Sequence, residues 1–251
     1  MKLSIITVTW NSEKTIRDTI ESVLNQTFHN YEYLVVDGAS KDATVDIIRE
    51  YEPRFEGRMR WISEPDKGIY DAMNKGFQMA SGDVLMLINS DDLFADENSL
   101  KYIAETFQLN PQIDAIYADL CYVAPNNTSK IIRRWKTKEQ KPFAKGWLPA
   151  HPTFYVRREI YQKYGYFDLD FKLAADFELM LRFVEKYKLK LLYLPKYLVK
   201  MRYGGATSGS IKNIYKQNVE CIRAFEKNGI KCSPFYIIYR FFPKIKQFLR
   251  K

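Results

Sequence analysis

Up to Asp92 the chain alternates short apolar runs with longer stretches whose apolar residues recur at helical spacing. Leu3 to Thr9 is short and rich in β-branched residues, as a central parallel strand is. A helix is expected to open at Asn11-Ser12, with Ser12 as N-cap, because Ile16, Ile20, Val23 and Leu24 then share a face. Tyr31 to Val36 reads as a second strand ending at Asp37-Gly38, and Ser40 to Tyr51 as a second helix. Met59 to Ser63 predicts a third strand, and Asp71 to Ala80 a third helix stopped by Ser81-Gly82. Val84 to Ile88, apolar throughout, is a fourth strand running into Asn89-Ser90-Asp91-Asp92.

This alternation implies an α/β fold, a Rossmann-like and mostly parallel sheet with helices on both faces. Ligands of such sheets bind beyond the carboxyl ends of the strands. The polar clusters Thr9-Trp10-Asn11, Asp37-Gly38, Asp66-Lys67-Gly68 and Asp91-Asp92 fall at those ends and should converge on one rim. The second half is less regular. Ile113 to Val123 predicts a strand, Pro125-Asn126-Asn127 a turn, and Arg133 to Lys145 a basic loop. Thr153 to Val156 predicts a strand followed by a helix through Tyr161. A helix is expected from Asp176 to Tyr187, with Leu179, Phe183 and Val184 on one face, and an amphipathic one from Ile211 to Phe225.

A length of 251 residues suits one large or two small α/β units. Aromatics at 15% suit a site that stacks flat rings or sugar faces, and equally a packed core. The net charge of +9 is concentrated at the end of the chain. No acidic residue follows Glu226, whereas Lys227, Lys231, Arg240, Lys244, Lys246, Arg250 and Lys251 do. Such a tail attracts phosphates of lipid head groups or nucleic acid. No helix-turn-helix, zinc-finger or RNA-binding motif accompanies it, so no nucleic acid is expected. Cys121, Cys221 and Cys232 form no CxxC pair, which argues against a disulfide framework or zinc site and for a reducing compartment. The apolar N-terminus lacks a small-residue cleavage site and reads as a strand rather than a signal peptide. No apolar stretch reaches membrane-spanning length.

The acids at strand ends carry the first chemistry. Asp91-Asp92 supplies the carboxylate oxygens that a hard divalent cation wants while leaving room for substrate phosphates. Alternatively, Asp92 caps a short helix beginning at Leu93. Asp37 could accept hydrogen bonds from a base or ribose, or simply form the turn before Gly38. Thr7, Thr9 and Asn11 would line the same crevice, or cap the strand. Lys67-Gly68 could bring a charge and close backbone approach to a diphosphate, or form an exposed turn; Asp71 follows on the next helix.

The run SIITVTWNSEKTIRDTIESVLNQTFHNYEYLVVDGASKDAT, with EPDKGIYDAMNKGFQMASGDVLMLINSDDLF, resembles glycosyltransferase family 2. The likeness is strong to about residue 100 and looser to about residue 205. It implies the GT-A fold and inverting transfer from a nucleotide-sugar, expected to be a UDP-sugar, with Mn²⁺ or Mg²⁺ as cofactor. Two departures stand out. The family's D-D-G-S-x-D-G-T reads Asp37-Gly38-Ala39-Ser40-Lys41-Asp42-Ala43-Thr44, so the second acid is glycine. A common D-A-D-D reads Asn89-Ser90-Asp91-Asp92, which by resemblance leaves the metal to Asp92 and the ribose or the metal's water shell to Asp91. In Leu173-Ala174-Ala175-Asp176-Phe177-Glu178, Ala175 replaces the Glu of the family's E-D motif and Asp176 matches its general base. Asp176 would otherwise be an N-cap. By resemblance His151 lies on the acceptor side, where Trp147 could stack on a sugar; for both, structural packing is the other reading.

The resulting expectation is a donor-binding half over residues 1–95, an acceptor-binding half over 96–205 and a basic helical extension over 206–251. The acceptor is expected to be a saccharide or lipid-linked, in surface polysaccharide or glycolipid synthesis. The segment Pro234 to Lys246 mixes aromatics with bases and could lie on an anionic membrane, placing the protein in the cytoplasm or on the inner face of the membrane. The rival readings are a nucleotidyltransferase acting on a sugar phosphate, which lacks its glycine-rich basic loop here, and a basic binding module without catalysis.

Overall fold

Strands β1 (Leu3–Thr9) and β2 (Tyr31–Asp37) are buried along their whole length, because helices cover both faces of the sheet they occupy. The computed structural model describes residues 1–204 and 211–239. The first half adds α1 (Ile16–Leu24), α2 (Thr44–Tyr51), β3 (Met59–Ser63), α3 (Ile69–Met79) and β4 (Val84–Leu87). The second adds β5 (Leu93–Phe94), α4 (Ser99–Leu109), β6 (Ala115–Ala124), β7 (Asn127–Trp135), β8 (Tyr155–Arg157), α5 (Arg158–Tyr164), α6 (Ala175–Leu181), β9 (Leu191–Arg202) and α7 (Ile211–Lys227).

These strands form one sheet in the order β3-β2-β1-β4-β8-β6-β9-β5, with β7 paired to β6. Strands β1 to β4 are all parallel, and so is the long β6–β9 pair. Short antiparallel β8 joins the two parallel blocks through β4 and β6. Two antiparallel steps restore direction, so β6 and β9 run the same way as β4.

The period-two alternation of side chains sorts the core. Leu3, Ile5, Tyr33, Val35, Val84 and Met86 face one side, with α1, α2 and α4. Ile6, Val8, Leu34, Val36, Leu85 and Leu87 face the other, with α3, α5, α6 and α7. Fully burying each such side chain contributes roughly 1.5–3 kcal/mol.

Several expectations are corrected. Helix α1 starts at Ile16, and Ser12 is not its cap; residues 12–15 form a turn in which the Ser12 carbonyl accepts from the Thr15 and Ile16 amides. Arg133 to Trp135 belongs to β7 rather than a loop, since pairing with β6 supplies its backbone partners. No helix follows Asp92: Leu93–Phe94 pairs with β9 instead. The helix expected to Tyr187 ends at Leu181 and continues as a π-helical turn, Arg182–Lys186. The tail from Arg240 onward lies outside the described residues.

Candidate active site

The carboxyl ends of β1, β2 and β4, the segment 65–73, the loop 148–152 and the start of α6 enclose a cleft of about 1320 Å³. Hydrogen bonds fix the first two of these ends against each other. Asn11 takes a left-handed φ of 48°; its amide N–H donates to Ser40 Oγ at 2.8 Å, and its side-chain oxygen accepts from the Lys41 amide at 2.8 Å. Gly68, the residue just before α3, takes φ 117°, a conformation that side chains rarely adopt, and its N–H donates to Asp66 Oδ1 at 2.7 Å.

Asp91 and Asp92 differ sharply in position. Asp91 lines the cleft. Asp92 is 0% exposed; one carboxylate oxygen accepts from the Asn89 side chain at 2.9 Å and the other has no partner. Burial raises the pKa of both, and the Asp91 charge raises that of Asp92 further, with Arg202 as a partial counterweight. Arg202 is itself engaged by Asp18 and the Pro125 carbonyl. Asp92, expected to hold the metal, is wholly buried and outside the cleft lining, whereas Asp91 lines the cleft. Among the described residues no three metal-ligating side chains cluster. A cation bound through Asp91 and substrate phosphates needs no such cluster, and two adjacent raised carboxyls with one orphaned oxygen fit a missing positive charge.

Asp176 is the second residue of α6 and its side chain caps nothing there; the residue before the helix is Ala174. It lines the cleft and accepts a hydrogen bond from Tyr70 Oη at 3.2 Å. Burial and the Asp176 charge both push the Tyr70 phenol upward, so it stays protonated and donates. His151 lines the same wall and meets the Phe167 ring edge-on at 5.9 Å. Burial lowers its pKa, which the nearby Asp176 charge opposes.

Thr9, Asn11, Gly68, Asp91, His151 and Asp176 thus come together. Others do not. Thr7 is wholly buried and accepts from the Tyr33 hydroxyl at 3.0 Å. Asp37 lies behind the cleft, saturated by the Ser40 amide at 2.9 Å, the Ser40 hydroxyl at 2.5 Å and the Ser63 hydroxyl at 2.6 Å. Lys67 is exposed outside it, and the Asp71 carboxylate accepts from the Lys67 amide at 2.9 Å, tying down the turn. Trp147 is buried edge-on to Tyr117 and Phe143, its indole donating to the Thr137 carbonyl at 3.3 Å, and it does not line the cleft.

Sequence placed Trp10 and Asp66 at the rim only as members of polar clusters, without a role, and did not point to the lining residues Ile69, Tyr122 and Trp135. Trp10 is 67% and Ile69 50% exposed, a departure from apolar burial that only the structure reveals. Asp66 explains the glycine departure. A Cβ on Gly38 would lie 2.5 Å from Asp66 Oδ2, so the Asp66 carboxylate occupies the space of the acid missing from position 38. Ala39, standing where the pattern has glycine, adopts a left-handed φ of 58°.

The profile described as glycosyl transferase family 2 matches residues 4–165. An uncharacterized glycosyltransferase of Mycobacterium tuberculosis is 30% identical over 187 residues, covering 72% of this chain and 68% of its own. The fold is similar to that of S. aureus TarS in complex with UDP, with TM-score 0.67, 20% identity and coverage of 95% of this chain and 68% of the other. It is equally similar to the mannosyltransferase PcManGT of Pyrobaculum calidifontis in complex with GDP-Man and Mn²⁺, with TM-score 0.67, 17% identity and coverage of 95% and 69%. This chain spans 65% of the S. aureus TarS 1–349 chain. At these identities the structural likeness is one of fold.

Proposed function

Since the chain belongs to glycosyl transferase family 2, we propose that it is an inverting, metal-dependent transferase that moves a sugar from a UDP-sugar to an acceptor hydroxyl. The observation that carries this reading is that Asp91, after β4, and Asp176, at the start of α6, line one cleft at the carboxyl ends of the parallel strands. Asp176 takes the proton of the attacking hydroxyl as its oxygen approaches the anomeric carbon from the face opposite the leaving group. The Tyr70 hydroxyl orients that carboxylate through its hydrogen bond. Asp91 would hold Mn²⁺ or Mg²⁺, which when bound stabilises the charge of the departing diphosphate. Trp10 offers a flat exposed face beside Gly38 and Asp66, where a nucleotide base could lie. UDP is favoured by the likeness to a UDP-bound structure, and Mn²⁺ by the likeness to a Mn²⁺-bound one.

In this reading residues 1–95 hold the donor, 96–205 the acceptor, and 206–251 form a membrane-facing extension. Within the extension, Tyr236 packs on Phe177 and Phe225, while Phe235, Ile238 and Tyr239 stand exposed ahead of the basic tail. That combination suits a lipid-linked acceptor met at an anionic inner membrane face. Among the described residues no helix is long and apolar enough to cross a membrane. Truncation before Arg240, which spares Tyr236, should release the protein from anionic vesicles; undiminished binding removes the tail from this role.

Calorimetric titration with UDP, GDP, CDP and dTDP, each with and without Mn²⁺, tests the donor site. Metal-dependent binding of UDP in preference to the others is expected. Binding of none of them ends the transferase reading, and preference for GDP corrects the donor.

A further inference from the structure

The acceptor end of the cleft carries a platform that the reaction as described leaves unused. In the sheet, Leu120 pairs with Trp135 and Val199, and Tyr122 with Arg133 and Met201. Side chains of directly paired residues project from the same face, so Tyr122, Trp135, Arg133 and Met201 share one face of the sheet, and Tyr122, Trp135 and Met201 line the cleft. The Tyr122 and Trp135 rings are nearly parallel, 11° apart in plane with centroids 6.3 Å apart. Tyr203 meets Tyr122 edge-on at 6.2 Å.

Arg133 lies over both rings, 5.0 Å from the Tyr122 centroid and 5.9 Å from that of Trp135. Its Nε is buried without a hydrogen-bond partner. Among the described residues no carboxylate lies within ion-pair distance of it. From Leu120 to Lys138 the chain has no acidic residue but carries Lys130, Arg133, Arg134, Lys136 and Lys138. A guanidinium held over aromatic rings can keep N–H donors free for a planar or tetrahedral oxyanion.

Resting on the transferase reading above, we propose that this platform is the acceptor subsite for a phosphate-bearing saccharide, its sugar ring on Tyr122 and Trp135 and its phosphate on Arg133. The platform extends the rim beyond Asp91 on the side away from β1, β2 and β3, leaving those strand ends to the nucleotide. The phosphate has two possible sources, a lipid diphosphate or the phosphodiester of a polymer.

The test uses the full-length protein saturated with UDP and Mn²⁺. Three probes are titrated: farnesyl diphosphoryl-N-acetylglucosamine, an oligo(glycerol phosphate) and octyl glucoside. At least one phosphate-bearing probe should bind tenfold or more tighter than the neutral glycoside, and the better of the two identifies the source. Arg133→Gln should remove that tenfold preference, while Arg133→Lys should keep part of it. Arg134→Glu, whose side chain projects from the opposite face opposite Cys121, should change binding by less than threefold. UDP affinity should be the same in every variant. Equal binding of the neutral probe overturns the proposal. So does unchanged binding in Arg133→Gln, a loss in Arg134→Glu as large as in Arg133→Gln, or binding of neither phosphate probe. Failure of the wild-type protein to bind UDP removes the donor reading and this subsite with it, whereas intact UDP binding with any of those results removes the subsite alone.

Discussion

The two ends of the same parallel strands treat their carboxylates in opposite ways. At the amino end, Glu32 is buried and accepts from Ser4 at 2.6 Å, from the Ser81 amide at 2.6 Å and hydroxyl at 2.9 Å, and from the Gly82 amide at 3.1 Å. Lys2 and Arg60 add ion pairs at 3.2 and 3.0 Å. Burial alone would raise its pKa, but these donors outweigh that and hold it at about 2. At the carboxyl end, half-buried Asp91 and wholly buried Asp92 lie side by side with few donors, and both pKa values rise. Glu32 is saturated and serves the fold; the Asp91–Asp92 pair is left short of positive charge, as a site awaiting a ligand is.

This contrast can be attacked at several points. The largest effect is expected at Asp176. Replacement by Asn should lower transfer by about 10²–10⁴-fold, the range for loss of a general base, with UDP affinity unchanged; single-turnover assays on purified protein decide it, and near-normal turnover removes Asp176 from the base role. Asp91→Asn should abolish the Mn²⁺ dependence of UDP binding, and a variant that still binds UDP only with metal would return the metal site to other residues. At the opposite end, Glu32→Ala should cost about 2 kcal/mol of stability by urea unfolding, from lost charge-assisted hydrogen bonds, while folded protein binds UDP normally. Loss of UDP binding at unchanged stability would invert the comparison.

The pH dependence of the two ends should also differ in sign. Glu32 has a folded pKa below its ordinary 4.5, so its contribution is full above that value and fades as pH falls from 4.5 toward about 2. Asp92 has a raised pKa, so its burial costs nothing below the ordinary 3.8 and progressively more as pH rises above it. Asp92→Asn should therefore stabilise the metal-free protein at pH 7 by about 1 kcal/mol, in line with relief of an unsatisfied buried group. A lower urea midpoint in the variant would show that Asp92 is already satisfied.

The first half of the fold was legible in sequence because its signal is local: β1, β2, β3 and β4 are short apolar runs whose own composition requires burial. Strands β7 and β9 were not legible. Most of β7 is exposed, and β9 contains Pro195 and Lys196, so both owe their extension to pairing with β6 rather than to an apolar pattern of their own. Helix α4 was missed although Leu100, Ile103, Ala104 and Phe107 carry its spacing in plain view. Within the site, sequence located the acids but could not rank neighbours. Asp91 and Asp92 are adjacent in the chain, and only the turn after β4 decides which one faces the cleft. Trp147 and Trp135 posed the same problem: cross-strand register puts Trp135 at the cleft, and packing on Tyr117 and Phe143 takes Trp147 away from it.

Strand β8 has a consequence for how the chain reaches this structure. It is three residues long and holds β4 by two register pairs and β6 by two more, yet among the described residues it is the only strand bridging the parallel blocks. Its partner β4 lies some seventy residues earlier, a long loop to close for little immediate gain. Strands β1 to β4, by contrast, pair through short crossovers and emerge first from the ribosome. Assembly in two blocks follows, with the seam at β8 the last to form and, in hydrogen exchange, the first part of the central sheet to open.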